Sequence, residues 1–212
     1  MFNAGALTFQ EFMMRETLPL AKIQNALLEF LRGRDDAVVF GAQAVNAYVK
    51  EPRMTQDLDL LSVRADELAQ EIKDYLKDRF HIAVRVRRVG EGRGYRLYQI
   101  QKSGSRHLVD LQSVEMLPLS KRIAKVLVAA PEELIARKVI AYHKRRGQPK
   151  SGTDLRDLMM LLLRFPDLKS DAGPVMDRLN AAKADSRIIS VWKDLVKQEI
   201  KLPKEDDKFN EF

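Results

Sequence analysis

The stretch Val38-Val39-Phe40-Gly41-Ala42-Gln43, followed after a short gap by Arg53-Met54-Thr55-Gln56-Asp57-Leu58-Asp59-Leu60, decides how this chain is read. A short apolar run at 37–40 meets a glycine, and 42–49 has the composition of a helix that Pro52 must break. The layout is strand, turn, helix. A helix that begins at a glycine turn directs unpaired backbone N–H groups and the positive end of its dipole at whatever lies above, so an anion is favoured there. In Asp57-Leu58-Asp59-Leu60, strand alternation puts Asp57 and Asp59 on one side and sends Leu58 and Leu60 into a core. Two carboxylates in one small volume are costly to keep ionised unless a cation lies between them, and Mg²⁺ with its oxygen ligands meets that need. Taken alone, an Asp-x-Asp pair is more often a solvated strand end whose aspartates cap a turn. The glycine turn upstream and a further acid downstream move the reading towards metal.

That further acid is Asp110, in His107-Leu108-Val109-Asp110-Leu111. It is the only acid of an otherwise apolar strand, and alternation places it on a face with Leu108 and Gln112. A lone acid on a half-buried face needs a partner. A metal would supply it, and so would any of several nearby arginines. Three carboxylates hold two Mg²⁺ ions about 4 Å apart in enzymes that activate a hydroxyl and neutralise an α-phosphate as pyrophosphate departs. The acids therefore suit nucleotidyl transfer.

Composition narrows the alternatives. The chain of 212 residues has 45% hydrophobic residues, enough for an ordinary core, and no cysteine, which removes disulfides, thiol catalysis and thiolate metal sites. With only His81, His107 and His143, carboxylates are the expected metal ligands. The net charge is +7 and the isoelectric point about 9.6. The charge is uneven: Arg79, Arg85, Arg87, Arg88, Arg93, Arg96, Lys102 and Arg106 are opposed only by Glu91, and a second group runs Lys138, Lys144, Arg145, Arg146, Lys150. Such surfaces bind polyanions, nucleic acid foremost; a solvated, solubilising face is the plainer alternative. No stretch approaches the roughly 18 apolar residues of a membrane span, and Met1-Phe2-Asn3-Ala4 does not read as a signal peptide. A soluble, cytoplasmic protein without a membrane partner is expected.

The periodicities predict a helix over 18–31, a strand over 37–40, a helix over 42–49, a strand over 57–61 and a helix over 65–80. Strands at 82–87, 95–101, 106–112 and 123–128 follow, with glycine-rich turns between the first three. From Pro131 onward the pattern is helical, over 131–146, 153–163 and then to about residue 200. The expected fold is α+β: a small mixed-sheet domain followed by a helical C-terminal domain. The expected boundaries are a helical lead-in over 1–36, the sheet domain over 37–128, the helical domain over 129–202 and a polar tail over 203–212.

On these residues the chain resembles a known family. Gly41-Ala42-Gln43-Ala44-Val45, with Arg53, Thr55, Asp57, Leu58, Asp59 and Leu60, is similar to the nucleotidyltransferase superfamily shared with DNA polymerase beta. More narrowly, the chain resembles the AbiEii-type nucleotidyltransferase toxins of type IV toxin–antitoxin and phage-defence systems. Pro131-Glu132-Glu133-Leu134-Ile135-Ala136-Arg137-Lys138 and Asp154-Leu155-Arg156-Asp157-Leu158 look like that family's lysine helix and Asp-x-x-Asp-Leu segment. The matches span roughly 38–165.

The resemblance implies a metal-dependent enzyme that transfers NMP from an NTP to RNA, expected to be the 3′ end of tRNA, and so blocks translation. It implies Mg²⁺ or Mn²⁺ on Asp57, Asp59 and Asp110, with Asp110 also a candidate base. Gly41, Ala42, Gln43 and Thr55 belong to the implied nucleotide site, together with Lys138, Asp154 and Asp157. Lys138 would contact phosphates, with one of the two acids orienting it; outside that family context it reads as a surface lysine. Ala42 stands where the superfamily usually has Gly or Ser, and Thr153 where the family often has lysine. For RNA, Arg85, Arg87, Arg88, Arg93 and Arg96 are the expected contacts, and Tyr95 and Tyr98 either stack on bases or pack on the sheet. A cognate antitoxin is the implied protein partner. Two other readings compete: the same chemistry on a small molecule or protein, and a non-catalytic RNA-binding relative. Cationic drugs need carboxylates in the acceptor pocket rather than arginines, and all three acids are present.

Overall fold

A computed structural model describes residues 18–201, so the polar tail expected at 203–212 and the first part of the helical lead-in lie outside the described residues. The elements run α1 (Leu20–Phe30), β1 (Ala37–Phe40), α2 (Gly41–Tyr48), β2 (Leu58–Ser62), α3 (Ala65–Phe80), β3 (Val84–Val89), β4 (Gly94–Gln101) and β5 (Gly104–Ser113). They continue with β6 (Ser120–Ile123), β7 (Val126–Ala129), α4 (Pro131–Lys144), α5 (Pro149–Arg164), α6 (Pro174–Ala181) and α7 (Ser186–Lys197). The fold is α+β, with a mixed sheet followed by helices, as expected. The chain divides into two compact units, 1–134 and 135–212.

Among the described residues, all seven strands form one sheet in the order β3-β4-β5-β2-β1-β7-β6. β1 and β2 are antiparallel, β2 and β5 parallel, and β3, β4 and β5 form an antiparallel meander. Leu58, Leu60, Leu97, Val109 and Leu111 are fully buried and meet α3, whose Leu68, Ala69, Ile72 and Leu76 form a buried stripe. Each such leucine contributes about 1.5–3 kcal/mol by leaving water. Helix α3 carries Asp66 and Glu67 in its first turn and Lys77 and Arg79 in its last, matching its dipole, and ends where His81 turns left-handed at φ 54°. The opposite face also buries Val38 and Leu61, and further along the sheet it carries polar side chains.

One strand expectation is corrected. The run 123–128 is not a single strand: β6 and β7 form a hairpin whose two-residue turn places Ala124 at φ 49° and Lys125 at φ 67°. Two adjacent positive φ values make the turn that antiparallel strands favour, but neither residue advertises it as Asn-Gly would. The hairpin is tied to the α1–β1 connection, where the Gly33 N–H donates to the Lys125 carbonyl over 2.9 Å and Arg122 pairs with Asp35.

Candidate active site

Register builds the site. Asp59 on β2 lies opposite Asp110 on β5, Asp110 lies opposite Arg96 on β4, and Arg96 lies opposite Arg87 on β3. Registered residues on neighbouring strands share a face, so Asp59, Asp110, Arg96 and Arg87 form one line across four strands. It passes from two acids to two cations. Arg96 Nε stands 3.4 Å from Asp110 Oδ2, and this carboxylate is the main cause that holds the Arg96 guanidinium above its ordinary pKa.

A second line runs beside the first: Arg85 opposite Tyr98, and Tyr98 opposite His107. The Tyr98 and His107 rings are 5.0 Å apart. His107 Nδ1 lies 3.1 Å from Asp57 Oδ2, while Nε2 lies 3.1 Å from the Val109 carbonyl oxygen. The bond to Asp57 is the chief cause that raises the His107 pKa.

This second line rests on a bulge that corrects the expected alternation. The β4–β5 register shifts at Leu97/Tyr98, so Leu97 pairs with Val109 but Tyr98 pairs with His107. Leu108 is the extra residue, and Leu108 and Val109 are both fully buried. Asp110 therefore shares its face with His107, three residues away, and not with Leu108.

Gly41 closes the site at the start of α2. Its φ is +66°, and a Cβ there would stand 1.9 Å from Asp59 Oδ2. Ala42 follows it, half-buried. The segment leading to Asp57 is anchored from beneath: Gln43 Nε2 donates to Thr55 Oγ1 over 2.7 Å and to Gln24 Oε1 over 3.2 Å, and Gln24 Nε2 donates to the Thr55 carbonyl over 3.1 Å. Asn46 Nδ2 donates to the Arg53 carbonyl, and the Arg53 N–H donates back to Asn46 Oδ1. Gln24, Gln43 and Asn46 are buried, so these bonds satisfy amide groups that would otherwise be costly, and among these three side chains Gln43 Oε1 is left buried without a partner.

In the helical unit, Lys138 Nζ donates to Asp154 Oδ1 over 3.1 Å and to Asp157 Oδ2 over 2.7 Å. Arg145 Nη1 bonds the other Asp154 oxygen at 2.7 Å. Lys138, Asp154 and Asp157 are buried at 9%, 2% and 0% exposure, so Lys138 is not a surface lysine.

The arginines expected to act together separate into two groups. Arg85, Arg87 and Arg96 share the face of the acids. Arg88 lies opposite Tyr95, which is buried at 7% exposure on the other face, and Arg93 sits in the Gly90–Gly94 connection with its Nε donating to the Gly90 carbonyl. Gln24 and His107 are the neighbours of the site that sequence reading does not single out as site residues, while Tyr98, expected to stack on bases or pack on the sheet, lies against the His107 ring. For His107 no sequence signal exists, because simple alternation puts it on the wrong face.

The donor set fits a hard divalent cation: Asp59 and Asp110 are registered side by side, and the side chains of Asp57 and Asp110 are 29% and 21% exposed, so a cation has access to them. Among the described residues no three His, Cys, Asp or Glu side chains already form a ligand cluster. His107 bonds Asp57, and Arg96 stands against Asp110. No helix among the described residues is long and apolar enough to cross a membrane.

Comparison with solved structures shows the fold elsewhere. The Megavirus polyadenylate synthase matches with a TM-score of 0.57 at 12% identity, over 69% of this chain and 32% of that one. This chain thus spans about a third of that protein. A putative nucleotidyltransferase from H. pylori matches with a TM-score of 0.54 at 16% identity, over 90% of this chain and 95% of that one. JHP933 from Helicobacter pylori matches with a TM-score of 0.51 at 16% identity, over 91% and 92%. Comparison with curated proteins by sequence finds no match. The model of the family described as "Nucleotidyl transferase AbiEii toxin, Type IV TA system" matches residues 26–209, most of the chain. With that match, and with a glycine turn set against Asp59 in a nucleotidyltransferase fold, the chain belongs to the AbiEii nucleotidyltransferase toxin family.

Proposed function

We propose that this nucleotidyltransferase moves NMP from an NTP to the 3′ end of an RNA, tRNA foremost, and so inhibits translation until a cognate antitoxin counters it. The observation that carries the reading is the line Asp59, Asp110, Arg96, Arg87, in which the arginines begin one strand away from the acids. Strands are about 4.8 Å apart, so Arg96 and Arg87 stand within one to two nucleotides of a reacting hydroxyl held at Asp110. An acceptor with phosphates next to its hydroxyl suits that spacing; a cationic small molecule does not.

In this reading Asp57, Asp59 and Asp110 hold Mg²⁺ or Mn²⁺. The bound ions supply charge neutralisation at the α-phosphate and acidify the attacking hydroxyl. The acceptor oxygen forms a bond to the α-phosphorus, the bond from that phosphorus to the bridging oxygen breaks, and pyrophosphate leaves. Asp110 takes the hydroxyl proton. Gly41 lets the triphosphate approach the turn, with Ala42 beside it, while Gln43 and Thr55 hold the segment that presents Asp57. Lys138 contacts nucleotide phosphate, oriented by Asp154 and Asp157. Arg85, Arg87 and Arg96 bind acceptor phosphates, with Arg88 and Arg93 as outer contacts. Residues 37–128 act as the catalytic domain and 129–202 as the helical one.

The test is incubation with each labelled NTP, Mg²⁺ and total RNA, beside Asp59→Ala. Label on RNA 3′ ends that is lost in the variant is expected. Label on a small molecule or protein instead of RNA overturns the acceptor. Growth arrest on expression that persists in Asp59→Ala overturns the toxic mechanism.

A further inference from the structure

Asp57 differs from the other two acids in its place on the chain. It stands one residue before β2 begins at Leu58, so the strand ladder that orients Asp59 and Asp110 does not include it. A carboxylate at a strand mouth samples several rotamers unless something holds it. His107 belongs to β5, which pairs with β2 on one side and β4 on the other, and its Nδ1 reaches Asp57 Oδ2 at 3.1 Å.

The ring is fixed at three points. Nε2 faces the Val109 carbonyl at 3.1 Å, Nδ1 faces Asp57, and Tyr98 packs against the ring at 5.0 Å. The bulge at Leu108 is what turns this ring onto the face of the acids. An inserted residue that re-aims one side chain beside a site is a recurring use of bulges.

We infer that His107 is a positioning residue for the transfer reaction: its Nδ1–H orders the Asp57 carboxylate at the mouth of β2, so that this acid is presented for metal binding. It acts through Asp57 and touches neither nucleotide nor acceptor. The inference rests on the proposed metal role of Asp57, but not on RNA being the acceptor. Outer partners that orient ligating side chains typically change metal affinity or activity 10- to 100-fold when removed.

The experiment measures Mn²⁺ binding by electron paramagnetic resonance on the full chain, without NTP or RNA, together with kcat and KM for NTP. His107→Leu is expected to bind Mn²⁺ about 10- to 100-fold more weakly and to lose kcat by a similar factor, with KM changed less than about threefold. His107→Asn places an amide N–H near the position of Nδ1 and is expected to recover most of both losses. Parental Mn²⁺ affinity in His107→Leu overturns the inference, as does a His107→Asn variant no better than His107→Leu. If His107→Leu does not fold, His107→Asn and His107→Gln decide it, because Gln places its N–H nearer the position of Nε2; equal behaviour of the two overturns the positioning role. Asp57→Asn separates the two layers. Parental Mn²⁺ binding in that variant removes the metal role of Asp57 itself, whereas weak binding there with an unaffected His107→Leu removes only the positioning role.

Discussion

A Cβ placed on Gly41 would come within 1.9 Å of Asp59 Oδ2, so the residue that opens α2 and the acid on β2 share a space that only hydrogen leaves open. Phe40 and Asp59 are registered partners on antiparallel strands, which brings the end of β1 against the acid. The positive φ of +66° makes glycine doubly required.

Gly41→Ala is therefore expected to displace Asp59 and to lower the transfer rate by about 10²-fold or more, the cost of an ångström-scale misplacement. Its stability should fall by about 1–2 kcal/mol from backbone strain alone. Single-turnover labelling and thermal denaturation on the same preparation check both.

Asp59→Asn and Asp110→Asn are each expected to lower kcat by about 10²-fold or more, as loss of one group aimed at developing charge does elsewhere. Neither should lower the melting temperature much, because each removes one of two registered like charges and the Arg96 partner that Asp110 loses is nearly half exposed. A large loss of stability in either variant would count against a functional pairing of these acids.

The Lys138 network behaves differently. Lys138→Met leaves Asp154 with Arg145 but takes the 2.7 Å partner from Asp157, which is fully buried. Breaking a buried ion pair from one side costs about 3–5 kcal/mol. Urea denaturation of this variant should show that loss even with no nucleotide present.

Arg34 grips Asp36 with two bonds, Nε to Oδ1 at 2.9 Å and Nη2 to Oδ2 at 2.7 Å, and holds its carboxyl below the ordinary value of 3.8. A depressed pKa means the folded state binds this proton less readily than the unfolded chain. The stability it supplies is present above the unfolded pKa and is lost as pH falls through the folded one. Asp36→Asn is expected to be less stable than the parent at pH 7 and to close the gap below about pH 3.9, read from denaturation midpoints across that range.

If Arg87 and Arg96 each meet an acceptor phosphate, replacing either with alanine should weaken RNA binding across sequences. Each replacement should also flatten the dependence of log K on log salt by about 0.7 per lost contact to a single strand. Titration at several salt concentrations gives that slope.

Much of the architecture is legible in the residues one by one. The apolar run into Gly41, the stripe Leu68, Ile72, Leu76 and the alternation around Asp59 each encode an element through local periodicity, and these elements form where expected. The family resemblance is equally local, because it rests on short runs whose residue types are set by chemistry. What sequence spacing misplaced is what depends on one inserted residue. The hairpin at Ala124 and Lys125 hides in a run that reads as a single strand, since neither residue is a usual turn former.

By itself, the sequence determined the α+β class, the glycine turn and the acids at 57, 59 and 110, because composition and period act over a few neighbours. Only the tertiary structure decided which residues stand together: Asp59 beside Asp110 and Arg96, and His107 rather than Leu108 on their face. The physical reason is that strand register and a single bulge are set by packing across the sheet, and one extra residue in a period of two reverses every side chain beyond it.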